Sequence, residues 1–344
     1  MLFRSHSTIT GYTLLAPPSG ATINSNGVIT WTPTQTQSPS TNLLVTVVTN
    51  YNPFDTLNPY LTATNSFQVI VREVNVAPTL PVIPDQTVNE LTLLTVTNAA
   101  TNFNIHSTIT GYTLLAPPSG ATISSNGVIT WTPTQTQSPS TNLLVTVVTN
   151  YNPFDTLNPY LTATNSFQVI VREVNVAPTL PVIPDQTVNE LTLLTVTNAA
   201  TNFNIHSTIT GYTLLAPPSG ATIDTNGVIT WTPSQTQSPS TNLLVTVVTN
   251  HNPFDSIHPE LTATNSFLVV VREVNVAPSL PVIPDQTVNE LTLLTVTNTA
   301  TNFNIHSTIT GYTLLAPPSG ATIDTNGVIT WTPAQTQSPG TVLS

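Results

Sequence analysis

The sequence predicts an all-β chain of small seven-strand β-sandwiches arranged end to end. Three observations carry that reading. The sequence repeats itself at a period of 100 residues. Each period breaks into short runs that alternate apolar and polar residues between Pro, Gly and Asn clusters. No stretch sustains the 3.6-residue apolar period of a helix.

The period is marked by Trp31, Trp131, Trp231 and Trp331, each inside Gly-Val-Ile-Thr-Trp-Thr-Pro. It is marked again by Arg-Glu-Val-Asn-Val-Ala-Pro at Arg72–Pro78, Arg172–Pro178 and Arg272–Pro278. Residues 7–100 and 107–200 differ only at Asn24 against Ser124. The third copy has drifted, notably at Asp224, Ser234, His251, Ser256, His258 and Glu260. With Ala77-Pro78 as a start, complete repeats are expected at 76–175 and 176–275. Residues 1–75 then read as a repeat without its opening strands, and 276–344 as one without its closing strands. Phe3 and His6 match Phe103 and His106, so the expectation is a fragment of a longer protein.

Within Val76–Asn175 the strands follow in order. Leu80–Glu90 is broken by Pro81 and Pro84, as suits an edge strand. Leu91–Thr97 sets Leu94 and Val96 against Thr95 and Thr97, and Ile109–Leu115 puts Tyr112 and Leu114 on one face. A short run, Ala121–Ile123, leads to Asn126-Gly127, the signature of a two-residue hairpin with positive φ at both positions. Val128–Thr132 then offers Ile129 and Trp131 to a core. Asn142–Thr149 and Ser166–Val174 complete the set, the latter with Phe167, Val169 and Val171 on one side. Seven short strands in about 100 residues is the pattern of an immunoglobulin-like sandwich, here without its Cys–Trp–Cys signature.

Composition narrows the function. The 344 residues carry 15 acidic side chains against 4 basic ones, all arginine, for a formal net charge of −11. Such a surface repels phosphate backbones, so no nucleic-acid partner is expected. The chain has no cysteine, which removes disulfides, thiolate metal sites and a cysteine nucleophile. No apolar run approaches the roughly 20 residues of a membrane helix, and the first residues lack an apolar signal-peptide core.

Val88-Asn89-Glu90, the stretch Leu114–Gly127 leading into Val128-Ile129-Thr130-Trp131-Thr132-Pro133, and Leu161-Thr162-Ala163-Thr164 leading into Phe167–Pro178 resemble bacterial cadherin-like and immunoglobulin-like repeats of very long surface proteins. The resemblance implies an extracellular array on a cell surface, part of a longer parent, used for reach or adhesion. Its partners would be the neighbouring repeats of the same chain and a glycan or surface protein. It also implies Ca²⁺ at the junctions, where the matching positions are Glu73, Asn75, Glu90, Asn102, Asn104, Asn150, Glu173, Asn175, Glu190, Asn202, Asn204 and Asn250. Gln135 or Gln137 stands where the family carries another carboxylate. Most of these are amides, which coordinate without charge, so only weak calcium affinity, millimolar or poorer, is expected and no cofactor is required.

Trp131 beside Ile129 on an alternating strand reads as core rather than as a sugar platform. Tyr151, Phe154 and Tyr160, in a Pro/Asn-rich loop, are the ligand-loop candidates, for a glycan or for packing against the sandwich. In the third copy this loop holds His251, Asp255, His258 and Glu260, a pattern a transition metal accepts, although the Tyr and Asn of the other copies favour drift. His106-Ser107 lacks a third group and an oxyanion site, so no enzyme is expected. The leading expectation is a spacer or stalk segment of an adhesin-like protein. The alternatives are a calcium-binding or glycan-binding adhesion module and, more remotely, a head-to-tail self-assembling fibre subunit.

Overall fold

The computed structural model describes residues 6–338, so Phe3 lies outside the described residues. The chain divides into two compact units, Met1–Val174 and Asn175–Ser344. In the first unit, the first repeat supplies β1 (Thr8–Leu15), β2 (Thr22–Ile23), β3 (Ile29–Thr30), β4 (Ser40–Tyr51) and β5 (Tyr60–Val71). The second supplies β6 (Gln86–Asn89), β7 (Leu94–Thr97), β8 (Thr108–Leu115), β9 (Thr122–Ile123), β10 (Val128–Trp131), β11 (Ser140–Tyr151) and β12 (Tyr160–Arg172). All seven strands expected of a complete repeat are therefore present.

They form two sheets, ordered β6-β12-β11-β8 and β7-β10-β9. Only β6 against β12 is parallel, with Gln86 opposite Val169 and Asn89 opposite Arg172. The prolines upstream confine β6 to a short edge, where a missing N–H costs no ladder bond. The pairing of β8 with β11 carries one extra residue, Thr110, between Ile109 and Gly111, and the bulge lets the strand bend.

The sheets close on a core of Val88, Leu94, Val96, Ile129, Trp131 and Leu144, with Phe167, Val169 and Val171 from β12. Ile129 is 0% and Trp131 1% exposed, as the alternation of β10 requires. The Trp131 indole N–H donates to the Ser119 carbonyl at 3.1 Å, which satisfies the ring's one polar atom. An amide pair, Asn98 buried and Asn165 half-buried, ties the sheets together: Asn98 Nδ2 donates to Thr146 Oγ1 and Asn165 Oδ1, both at 2.8 Å. Asn165 Nδ2 in turn donates to Asn98 Oδ1 and to the Pro81 carbonyl, which holds the opening segment against the sandwich.

One turn differs from the sequence expectation. Only Gly127 takes positive φ, at +77°, and Asn126 does not. The Gly127 N–H donates to the Ser124 carbonyl and the Ser124 N–H to the Val128 carbonyl, which makes a three-residue loop ending in a glycine bulge. The cause is steric as well as conformational, because a Cβ on Gly127 would stand 2.7 Å from the Asn98 carbonyl oxygen.

The second unit contains β13 (Gln186–Asn189), β14 (Leu194–Thr197), β15 (Thr208–Leu215), β16 (Thr222–Ile223), β17 (Val228–Trp231), β18 (Ser240–His251) and β19 (Glu260–Arg272). These repeat the same two sheets and an equivalent core. β20 (Leu294–Thr297), β21 (Thr322–Ile323) and β22 (Val328–Trp331) form a three-stranded sheet ordered β20-β22-β21. Residues 308–315 repeat the sequence of β8 yet are not a strand, and residues 286–289 likewise repeat β6 without forming one.

Candidate site at the repeat junction

In the first unit the chain leaves β5 and runs through Glu73, Val74, Asn75 and Val76 into the second repeat. Glu73 is buried there. Its Oε1 accepts from Asn104 Nδ2 at 2.6 Å and Asn152 Nδ2 at 3.1 Å, and its Oε2 accepts from the Ser38 hydroxyl. His106 Nδ1 stands 3.3 Å from the same Oε2. Burial alone would raise the Glu73 pKa, but hydrogen bonds from Ser38, Asn104, Asn152 and His106 outweigh it and hold the group below the usual carboxylate value.

Asn75 is the second anchor. Its backbone N–H donates to Asp155 Oδ2 at 2.8 Å, and its Nδ2 reaches Asn150 Oδ1 and the carbonyls of Asn158 and Pro159. Its Oδ1 accepts from Ser107 Oγ and Asn150 Nδ2. Asn150 Nδ2 also donates to the Val76 carbonyl at 2.7 Å and to Asn102 Oδ1 at 3.3 Å. Gln35, from the first repeat, grips the loop ahead of His106: its Nε2 donates to the Phe103 carbonyl and its Oε1 accepts the Ile105 N–H. Gln137, by contrast, is spent within its own repeat on Ser119 and Thr134.

The same pattern recurs inside the second unit. Asn175 donates its N–H to Asp255 Oδ2 at 2.8 Å, Asn250 Nδ2 donates to Val176 O and Asn202 Oδ1, and Asn204 Oδ1 accepts the His206 N–H. The structure thus gathers Glu73, Asn75, Asn102, Asn104 and Asn150 at one junction. It places Glu90 and Glu173 together at the far end of the second repeat.

Glu90 is positioned by strain. Leu91 adopts φ +57°, unfavourable for leucine, and its N–H donates to the Pro133 carbonyl while the Glu90 N–H donates to the Arg172 carbonyl. The Glu90 carboxyl, 5% exposed, thereby meets Glu173, whose Oε2 accepts from Ser138 Oγ at 2.7 Å. Burial, the hydrogen bond to Glu173 and its charge raise the Glu90 pKa to about 7, against opposing bonds from Ser138 and Val174.

The aromatic candidates divide. Tyr151 and Tyr160 face each other across β11 and β12 with ring centroids 4.9 Å apart. Phe154 packs edge-on against His106 at 5.4 Å and remains 49% exposed. It lines a cleft of about 540 Å³ together with Ile70, Arg72 and Glu73. In the third repeat His251 and Glu260 replace the tyrosine pair and stand 3.9 Å apart. His106 and Ser107 do not face each other, because Ser107 Oγ donates to Asn75 and the His106 ring turns to Glu73.

Sequence reasoning singled out Gln135, the copy of Gln35 one period on, but missed Ser38, His106, Asn152 and Asp155 as junction residues. Asn152 and Asp155 did carry a signal, since an Asn-Pro-x-Asp loop favours side chains that cap their own backbone. Asp155 Oδ1 does cap Leu157 and Asn158, but its other oxygen bonds a residue 80 positions away.

No family model and no curated protein matches the chain. Among solved structures it is similar to Drosophila N-cadherin EC1-4, at 14% identity over 96% of this chain and 84% of that one, with a TM-score of 0.32. Human CDH23 EC21-23 aligns at 18% identity over 77% and 88% of the two chains, with a TM-score of 0.35. Mouse clustered PcdhgC3 EC1-3 aligns at 14% identity over 76% and 88%, with a TM-score of 0.32.

Proposed function

We propose that the chain is a repeat segment of a larger surface protein, an adhesion-module array whose joints are held by amides in place of calcium. The observation that carries this is the direction of the hydrogen bonds at Glu73. Asn104 and Asn152 point N–H donors at Oε1 and the Ser38 hydroxyl donates to Oε2, so both carboxylate oxygens are engaged by donors. The oxygens of Asn75, Asn104 and Asn150 already accept hydrogen bonds, so they are spent as ligands. A cation that needs 6–8 oxygens is poorly served by such a set. An array with this joint serves as a spacer at any calcium level. A thermal melt in millimolar Ca²⁺ against chelator tests it: superimposed curves are expected, and an upward shift of several degrees would favour a calcium-stiffened module.

A second reading is supported by the half-exposed Phe154 at its cleft beside Arg72. In that reading the array is a glycan-binding adhesion module, and many weak sites in series compensate for modest affinity. A glycan array repeated with Tyr151→Ala and Phe154→Ala separates the readings. Binding lost in both variants supports the module, and no binding by the wild type leaves the spacer.

A further inference from the structure

In the second unit two glutamates and a histidine converge. Glu190 follows β13, Glu273 follows β19, and His306 lies in the loop after β20. One ligand atom from each lies within 4.8 Å of the other two, and His306 Nδ1 is 3.0 Å from Glu273 Oε2. Glu190 is 5% exposed, and its Oε2 is sealed from solvent without a hydrogen-bond partner among the described residues. A buried carboxylate oxygen without a donor, set beside a second carboxylate, is costly unless a shared proton or a cation answers it, and here an imidazole nitrogen completes a set of three metal-ligand atoms.

We propose that Glu190, Glu273 and His306 form a binding site for a divalent transition ion, with Zn²⁺ the best-fitting probe. Two carboxylates and an imidazole are a recurrent zinc donor set, and a water completes four-coordination. Tetrahedral bonds of ~2.0 Å place ligand atoms roughly 3.3 Å apart, so small side-chain adjustments close the shell. Calcium fits worse. Imidazole is not a hard-cation ligand, and the amide oxygen of Asn304, two residues before His306, already accepts the His306 N–H at 2.9 Å. In the first unit Glu73 and His106 form a similar pair at 3.3 Å, where Asn104 and Asn152 both donate to Oε1. At Glu273 the Ser238 hydroxyl donates to Oε2 at 2.9 Å, and buried Oε1 has no hydrogen-bond partner among the described residues.

The test is calorimetric titration of the full chain with ZnCl₂ and with CaCl₂, alongside Co²⁺ absorption spectra. Micromolar or tighter Zn²⁺ binding is expected, with Co²⁺ bands of a low-coordinate site and no competition from equimolar Ca²⁺. Glu190→Gln and the exposed His306→Ala should each lower the stoichiometry by one equivalent, with far-ultraviolet circular dichroism unchanged. His251→Ala should leave it intact. Absence of Zn²⁺ binding, displacement by Ca²⁺, stoichiometry unchanged in His306→Ala, or its loss in His251→Ala would each overturn the assignment.

Discussion

The backbone N–H of Asn75 donates to Asp155 Oδ2 at 2.8 Å, across 80 residues of sequence. The same carboxylate caps Leu157 and Asn158, so one side chain orders both its own loop and the exit of the preceding repeat. The backbone bonds from Asn75 and Asn158 lead in lowering the Asp155 pKa, with Leu157 adding to them and burial opposing. A depressed folded pKa means that the contribution is complete at neutral pH and is lost as pH falls below the ordinary carboxylate value. Asp155→Ala should lower the melting temperature at pH 7 by roughly 2–8 °C and flatten the acid limb of the stability profile. Asp55, which caps Leu57 and Asn58 by the same local geometry, is the internal control, and Asp55→Ala should cost less.

Glu90 predicts the opposite pH trend. Its pKa is raised to about 7, so its contribution is complete below the ordinary glutamate range and is lost as pH rises through 7. Stability by urea unfolding should therefore fall between about pH 5 and pH 8. Glu90→Gln is neutral throughout and can donate to Glu173, so the variant should lose that slope and exceed the wild type at the alkaline end. A wild-type profile flat across this range would sink the buried carboxyl pair.

Gly127 and Gly111 are a matched pair of controls. A Cβ at Gly127 meets the Asn98 carbonyl oxygen at 2.7 Å and the Tyr112 ring at 3.0 Å, whereas at Gly111 it meets nothing within 4 Å. Gly127→Ala should cost about 1–3 kcal/mol. Gly111→Ala should be neutral or stabilise by about 0.4–1 kcal/mol. Equal effects in chemical denaturation would contradict the assigned turn.

Asn104→Asp replaces a donor to Glu73 by a carboxylate. Without calcium the variant should be less stable than the wild type, because two carboxylates then face each other in a buried site. Millimolar Ca²⁺ should restore it while leaving the wild type unmoved, read as paired thermal melts. A calcium response in the wild type equal to that of the variant would refute the amide joint.

Trp131 has one polar atom and one place for it. Trp131→Ala should cost about 3–5 kcal/mol, since the removed ring leaves a cavity between the sheets. Trp131→Phe should cost less, because most of the ring volume is kept and the Ser119 carbonyl that loses the indole N–H still accepts from Gln137 Nε2 at 3.0 Å. Urea unfolding of both variants ranks the two effects.

Much of the fold was legible because the information is local. Period-two alternation placed Ile129, Trp131, Phe167, Val169 and Val171 in the core, and the prolines near Val82 placed β6 at an edge. The glutamine, asparagine and glutamate set was legible as a junction only through family resemblance. His106, Ser38 and Asp155 were not, because each acts on a partner 33 to 80 residues distant.

The sequence by itself determined the all-β class, the 100-residue period, the succession of strands along the chain and the inward faces. These rest on side-chain alternation and turn chemistry, which act over a few residues. Only the tertiary structure decided which potential strands become strands. Thr108–Leu115 is a strand beside β11, while the identical residues 308–315 are not, and Leu315 is 92% exposed against 52% for Leu115. It alone decided where the amides of Asn104, Asn150 and Asn152 point. The physical reason is the same in both cases: a ladder or a buried amide is stable only when its partner is in place, and the partners lie dozens of residues away.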